Sequence, residues 1–419
     1  MSRLRIRNHG RVQAEFQVQG SKNSSLPCMA AALLHPGTTA LDGVPMIEDV
    51  FTAIEILRAL GALVYVEGNR VMICAHEITC REIPVKFMRK MRSSVIFMGA
   101  LLARTGEAKA VYPGGCAIGS RPINFHLEGF RQLGCEPDQQ EEAVSVKTCG
   151  MRGTVIRLPF SSVGATENIL LAAAGAEGIT VIENAAREPE IVELSRFLTR
   201  MGYEVRGAGT SRISIRGKCA TKDVCFYLAG DRIAAGTWLL CCMNAGGRIC
   251  LDRVPVQWMY STLEVLRRMG AVIRSEGMML ECTAPDKIEP VPWLETAPYP
   301  GFPTDMQSQL LPVLCKACGD SCICEKVFSS RFRTAEELSH MGAEIIVNPD
   351  QTCALVRGNH RLHGAEVTAP DLRGGAALII AAMDAQGDTL IDDFYHVERG
   401  YERITEVIRI LGGETCWIG

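Results

Sequence analysis

One phrase recurs six times along the chain: an apolar residue, a glycine, then a strand-like run. It stands at Leu60-Gly61, Leu133-Gly134, Met201-Gly202, Met269-Gly270, Met341-Gly342 and Leu411-Gly412. The spacing is about 70 residues throughout, which marks an internal structural repeat. Roughly 25 residues before each phrase, another glycine closes an apolar stretch: Gly37, Gly106, Gly178, Gly246, Gly319 and Gly387. Glycine just past a helix supplies the left-handed cap that other residues resist. Each repeat therefore reads helix, glycine stop, strand, loop, second helix, glycine stop, strand.

The two kinds of helix differ in pattern. The second helices carry one apolar stripe, as at Ile191, Leu194, Leu198 and Met201, or Met259, Leu263, Leu266 and Met269. The first helices, around 26–34, 169–174 and 378–382, are apolar nearly all round and belong inside, with strands outside them. The expected class is α/β: a two-domain, inside-out α/β barrel of six repeats. At 419 residues the chain exceeds one ordinary core, so the repeats divide three and three. The expected domains are 22–229, and 1–21 with 230–419, with a hinge near 217–231 and an active site in the cleft between them.

Charge says little globally. A net −3, with 22% charged and 47% hydrophobic residues, makes no case for nucleic acid or membrane partners. No apolar run reaches the roughly 18–20 residues of a membrane span. The alternating start, Met1 to Arg7, reads as a strand rather than an export leader, so a cytoplasmic enzyme is expected. Eighteen cysteines are scattered rather than framed, which points to reduced, buried thiols. The one cluster, Cys315, Cys318, Cys322 and Cys324, lies on an apolar stretch without a nearby histidine. It reads as core packing rather than metal ligation. Nucleotide-binding, zinc-protease and serine-hydrolase motifs are missing from the sequence, and neither cofactor nor metal is expected. His126 and His396 read as structural hydrogen-bonders.

Chemistry gathers where the first helices begin. These starts are Lys22-Asn23-Ser24, Arg92-Ser93-Ser94, Ser161 to Gly164, Asp231-Arg232, Thr304-Asp305 and Asp371-Leu372-Arg373. Ser, Thr, Asp and Asn there are ordinary caps. A cation is different, because it opposes the helix dipole unless an anion shares the site. Lys22, Arg92, Arg232 and Arg373 stand so, and Arg121, Arg187, Arg331 and Arg399 follow in loops. The set suits a ligand with phosphate and carboxylate. The loop Pro113 to Pro122, with three glycines and two prolines, adds one thiol, Cys116, beside Arg121. Alone it reads as a surface turn or as a nucleophile loop.

In these residues the sequence resembles the enolpyruvyl transferase family, essentially end to end. The most specific stretches are Gly20-Ser-Lys-Asn23, Pro113-Gly-Gly-Cys-Ala-Ile-Gly-Ser-Arg-Pro122, Ser162-Val-Gly-Ala-Thr166, Glu183-Asn-Ala-Ala-Arg-Glu-Pro-Glu190, Pro303-Thr-Asp-Met-Gln307, Asp371-Leu-Arg373 and Arg399-Gly-Tyr-Glu-Arg403. The resemblance implies the fold just described. It also implies transfer of the enolpyruvyl group of phosphoenolpyruvate to the 3-hydroxyl of UDP-N-acetylglucosamine, with release of phosphate. By motif, Cys116 is the residue that protonates the enol carbon and can form an adduct, and Asp305 takes the hydroxyl proton. Lys22 and Arg399 complete the catalytic set. Lys22, Asn23, Arg121, Arg331, Arg373 and Arg399 match phosphoenolpyruvate contacts. Asn23, Arg92, Arg121, Pro122, Ile123, Asn124, Phe125, Ser161, Ser162, Val163, Gly164, Asp305 and the backbone of Val327 match nucleotide-sugar contacts.

Four positions depart from the family pattern. Asn124 replaces a common aspartate beside the nucleobase, Phe160 and Glu48 replace lysines found in some members, and Pro370 replaces a common threonine. An alternative acceptor, another nucleotide or sugar nucleotide, therefore stands beside the first reading. The shikimate branch of the family lacks the loop cysteine. A retired, nucleotide-binding copy is a third reading, opposed by the presence of Lys22, Cys116, Asp305, Arg373 and Arg399.

Overall fold

The computed structural model of the chain describes residues 3–8, 10–112, 123–328 and 330–418. They form two units, residues 3–19 with 230–418, and residues 20–112 with 123–229.

Each unit contains three sheets on one plan. In one of them, Gly247–Asp252 lies between Val12–Gln17, which runs parallel to it, and Met279–Thr283, which runs antiparallel. Val272–Glu276 completes the hairpin with Met279–Thr283. The same order recurs in four other sheets. In the sixth, Glu107–Val111 has a single-residue parallel bridge, Glu82 to Lys109, in place of the edge strand. Arg3–Asn8 lies between Thr389–Asp392 and Gly413–Ile418, so the first strand of the chain completes the last repeat. In the other unit Val224–Tyr227 likewise runs parallel to Thr38–Asp42 of the first repeat.

The repeat therefore has more strands than its sequence pattern suggests. The run after each second helix is a hairpin, as in Leu63–Glu67 and Arg70–Cys74, joined through Gly68-Asn69 with Gly68 at φ 55°. A two-residue turn of this kind leaves almost no break between two short alternating strands.

The first helices are Lys22–Ala31, Phe97–Thr105, Val163–Ala173, Arg232–Ala245, Gln307–Lys316 and Leu372–Ala382. They are buried on nearly every face, and Gln307–Lys316 packs on Leu372–Ala382 as Phe97–Thr105 packs on Val163–Ala173. Each leucine or isoleucine so buried contributes roughly 1.5–3 kcal/mol. The second helices keep a polar face, and Pro189–Met201 buries Ile191, Leu194, Leu198 and Met201 as its stripe requires.

All six glycines of the recurring phrase are left-handed, with φ from 92° at Gly134 and Gly342 to 124° at Gly202. Among the earlier glycines, Gly106, Gly178, Gly246 and Gly387 are left-handed, but Gly37 and Gly319 are not. Crowding accounts for Gly37, where a Cβ would sit 2.2 Å from His35 Nε2 and 2.5 Å from Asp223 Oδ1.

The cysteines depart from the all-thiol expectation. Cys324 and Cys353, facing each other across the antiparallel pair Ser321–Cys324 and Cys353–Val356, form a disulfide. Cys353 lies 29 residues further along the chain, outside the cluster seen in the sequence. Of the other cluster members, Cys315 is buried, which pushes its thiol up to about 12, while Cys322 is half-buried and Cys318 exposed. Core packing thus describes Cys315 and not Cys318. Among the described residues no helix is long and apolar enough to cross a membrane, and no group of His, Cys, Asp or Glu is placed to hold a metal ion.

Candidate active site

In the unit of 230–418, three expected residues come together. Asp305 lies in the single helical turn Thr304–Met306 that leads into Gln307–Lys316. Its Oδ1 accepts from Arg331 Nη2 at 2.5 Å and its Oδ2 from Arg373 Nη2 at 2.9 Å. Arg331 comes from the loop before Arg333–His340. Arg373 comes from the first turn of Leu372–Ala382, where Asp371 Oδ1 accepts from the Arg373 and Gly374 backbone N–H groups. Both arginine side chains are buried, while Asp305 keeps a 26% exposed side chain. Burial would raise the Asp305 carboxyl, but the charges of Arg373 and then Arg331 outweigh it and hold the group well below the usual carboxylate range. Arg331 Nε and Gln307 Nε2 are buried without a partner among the described residues.

Glu325 was not legible as a site residue. It follows the strand Ser321–Cys324 and is buried. Its Oε1 accepts from Thr296 Oγ1 at 2.9 Å, Val327 N at 2.8 Å and Phe328 N at 3.0 Å, and its Oε2 accepts from Thr304 Oγ1 at 2.8 Å. One carboxylate thus fixes both the turn that bears Asp305 and the backbone at Val327. A lone glutamate after an apolar strand looks like any solvated loop residue, and its side-chain partners, Thr296 and Thr304, are 29 and 21 residues away.

In the unit of 20–229, Lys22 opens Lys22–Ala31 behind the cap Ser21, whose Oγ accepts from Ser24 N. Lys22 Nζ lies 2.7 Å from Asp49 Oδ2, and both side chains are buried. Asn23, next to it, is half-buried. The buried carboxylate of Glu193 accepts from Ser24 Oγ and from Ala229 N, yet burial still raises it. Burial, with Glu190 and Glu188 nearby, pushes Glu167 well above its ordinary value.

The start of Val163–Ala173 is also built as expected, with Ser162 Oγ accepting from Ala165 N at 3.4 Å. Ser161 to Gly164 are half-buried, and Ser161 Oγ donates to Ala185 O. Arg92 opens a helical turn ahead of Phe97–Thr105. Beside these stands His126, on Asn124–Gln132. Burial and then the Arg92 charge lower its imidazole to about 4, so it is neutral at physiological pH. Asn124 and Phe125 line a cavity of about 270 Å³ with Arg131, Leu158 and Pro159, while Ile123 is buried beneath.

Arg399 follows the helical turn Tyr395–Glu398, and the next residues are held by Gln19, which donates to Gly400 O and accepts from Glu402 N. His396, nearby, is lowered by burial and by Arg399, and its buried Nδ1 has no partner among the described residues. Cys116, Arg121 and Pro122 lie outside the described residues.

The sequence profile of EPSP synthase (3-phosphoshikimate 1-carboxyvinyltransferase) matches residues 6–408. UDP-N-acetylglucosamine 1-carboxyvinyltransferase 1 of Symbiobacterium thermophilum is 44% identical over 408 residues, covering 96% of this chain and 92% of the relative. UDP-N-acetylglucosamine 1-carboxyvinyltransferase 2 of Carboxydothermus hydrogenoformans is 42% identical, covering 99% of both chains. The crystal structure of the enolpyruvyl transferase NikO from Streptomyces tendae superposes with a TM-score of 0.90 at 23% identity, covering 99% of each chain. EPSP synthase from Acinetobacter baumannii reaches 0.79 at 18% identity, covering 100% of each. These two likenesses speak for the fold, which is the inside-out α/β barrel of six repeats. With full-length relatives above 40% identity, the chain belongs to the enolpyruvyl transferase family, alongside the UDP-N-acetylglucosamine 1-carboxyvinyltransferases, and is a transferase.

Proposed function

We propose that this chain transfers the enolpyruvyl group of phosphoenolpyruvate to the 3-hydroxyl of UDP-N-acetylglucosamine and releases phosphate, in the cytoplasm, as a step of peptidoglycan synthesis. The observation that carries the reading is Asp305 clamped between the buried guanidiniums of Arg331 and Arg373. The names of the full-length relatives support the same acceptor.

The clamp has a chemical consequence. A carboxylate held far below its ordinary pKa is a poor base, so Asp305 is idle while both arginines face it. Phosphoenolpyruvate brings a phosphate and a carboxylate that compete for those guanidiniums. As the arginines turn to the substrate, Asp305 loses its counter-charges and its basicity rises. It then takes the proton of the sugar hydroxyl. Cys116, in this reading, delivers a proton to the methylene carbon, and the adjacent carbon becomes electrophilic. The hydroxyl oxygen attacks that carbon. Loss of phosphate and of one methyl proton then restores the double bond in the product. Lys22, Arg121 and Arg399 stabilise the phosphate as it departs. The reaction so read needs Cys116 and Lys22 on the same phosphoenolpyruvate as Asp305, Arg373 and Arg399.

The test is phosphate release with both substrates, followed by product mass. Release that depends on UDP-N-acetylglucosamine, with a product carrying one added enolpyruvyl group, is expected. Release with shikimate 3-phosphate or another nucleotide, and none with UDP-N-acetylglucosamine, overturns the reading.

A further inference from the structure

We propose that His126 donates a hydrogen bond from Nε2 to a diphosphate oxygen of the nucleotide sugar, held at the start of Val163–Ala173. The proposal deepens the function above and rests on it for the identity of the ligand. No motif led to this histidine; its role follows from the protons around it.

The tautomer is set by a neighbour. Gly99 N donates to the side chain of Asn168 at 2.7 Å, and a backbone N–H can only donate, so that atom of Asn168 is its oxygen. The Asn168 amide nitrogen then donates to Val95 O at 2.9 Å and, with its second hydrogen, to His126 Nδ1 at 2.9 Å. His126 Nδ1 is therefore an acceptor. In a neutral imidazole the proton sits on Nε2.

That Nε2–H has no partner among the described residues, although His126 is only 8% exposed. It faces the first turn of Val163–Ala173: a Cβ built on Gly164 would lie 3.4 Å from His126 Cε1 and 3.7 Å from Nε2. At that turn the side chain and carbonyl of Ser162 occupy the N–H groups of Ala165 and Thr166. The Val163 and Gly164 N–H groups precede any intrahelical acceptor and open outward. The positive charge of Arg92 is felt at His126. Two backbone N–H groups and one imidazole N–H are all donors, which is the chemistry of a phosphate receptor. A neutral imidazole suits it better than a cation, because imidazolium beside Arg92 would repel it.

The test compares His126→Phe and His126→Gln with wild type by calorimetric titration of uridine, UDP and UDP-N-acetylglucosamine. Gln keeps a donor near the position of Nε2, whereas Phe keeps only the ring. A hydrogen bond to a charged group predicts that H126F binds UDP and UDP-N-acetylglucosamine about ten- to a hundred-fold more weakly. Uridine should be almost unaffected, H126Q should recover most of the loss, and the KM for phosphoenolpyruvate should hold. Equal binding of UDP by H126F and wild type overturns the proposal, and so does an equal loss for uridine. Because the Asn168 amide loses an acceptor in H126F, wild-type ¹⁵N spectra provide a second measurement. The His126 Nε2 signal should move with UDP and not with uridine, and an unmoved signal overturns the proposal. If wild type binds UDP with that shift but does not turn over UDP-N-acetylglucosamine, the functional reading fails and the phosphate contact stands.

Discussion

At residues 20 and 230 the chain passes from one unit to the other, and the two passages are built alike. A Cβ at Gly20 would meet Gly43 O at 1.7 Å, and one at Gly230 would meet Arg253 O at 2.0 Å, so both need glycine. Gly43 and Arg253 are both left-handed, at φ 74° and 60°, and each precedes a Val-Pro pair. Ser21 and Asp231 both cap the helix that follows, which opens with Lys22 in one unit and Arg232 in the other. The buried charges nonetheless differ. In 230–418 the carboxylate of Asp305 is ionised and held by two arginines. In 20–229 Glu167 and Glu193 are pushed toward their neutral forms, and His126 is kept neutral. A shared scaffold thus places helix starts, while local side chains decide whether a start works with full charges or with uncharged donors.

The contrast breaks first, if at all, at Asp305. Asp305→Asn keeps the shape and removes the base, so kcat should fall about 10²- to 10⁴-fold in a phosphate-release assay. Protonation at Cys116 does not require that base, so intact-protein mass should still show an adduct after incubation with phosphoenolpyruvate. Activity within a few-fold of wild type would leave Asp305 a structural partner of the arginines. Asp49→Asn probes the other unit, where Lys22 would keep its charge in a buried place. Breaking such a pair costs about 3 kcal/mol, or about 6–12 °C in Tm for a unit of this size. A Tm within 2 °C of wild type would mean that Lys22 finds another partner.

Glu325→Gln removes an acceptor from a carboxylate that serves four donors. The expected result is roughly a ten-fold lower kcat, the worth of about 1.4 kcal/mol, with a raised KM for the nucleotide sugar through Val327. A fall in Tm without any change in kcat would reduce Glu325 to a packing role. Its absence from the sequence reading shows what single-chain patterns carry. The repeats were visible because glycine phrases and apolar stripes are local, and the site cations because they sit at helix starts. Glu325, Asp49 beside Lys22, Asn168 behind His126 and Cys353 opposite Cys324 were not, because each acts through a partner 21 to 42 residues away. The hairpin strands were merged for the opposite reason: they are too close together for their turns to register.

The smallest effect separates the units by pH. Glu167 and Glu193 have folded pKa values raised above the unfolded range, so the folded unit holds their protons more tightly. Their contribution to stability is fully present below about pH 4.3 and is lost as pH rises through the raised values. Asp305 has the opposite sign: its contribution is present above about pH 3.9 and is lost only as pH falls toward its lowered value. Of these carboxylates only the first kind changes between pH 5 and 8, while His126, lowered to about 4, acts there with the opposite sign. Glu167→Gln, which is neutral throughout, should gain stability relative to wild type as the pH rises across that window. At pH 8 it should be more stable than wild type by about 1 kcal/mol, or 2–4 °C in Tm. Asp305→Asn should shift Tm by the same amount at pH 5 and pH 8. If Glu167→Gln instead destabilises the protein equally at both values, Glu167 is ionised in the fold, and both units use buried charge in the same way.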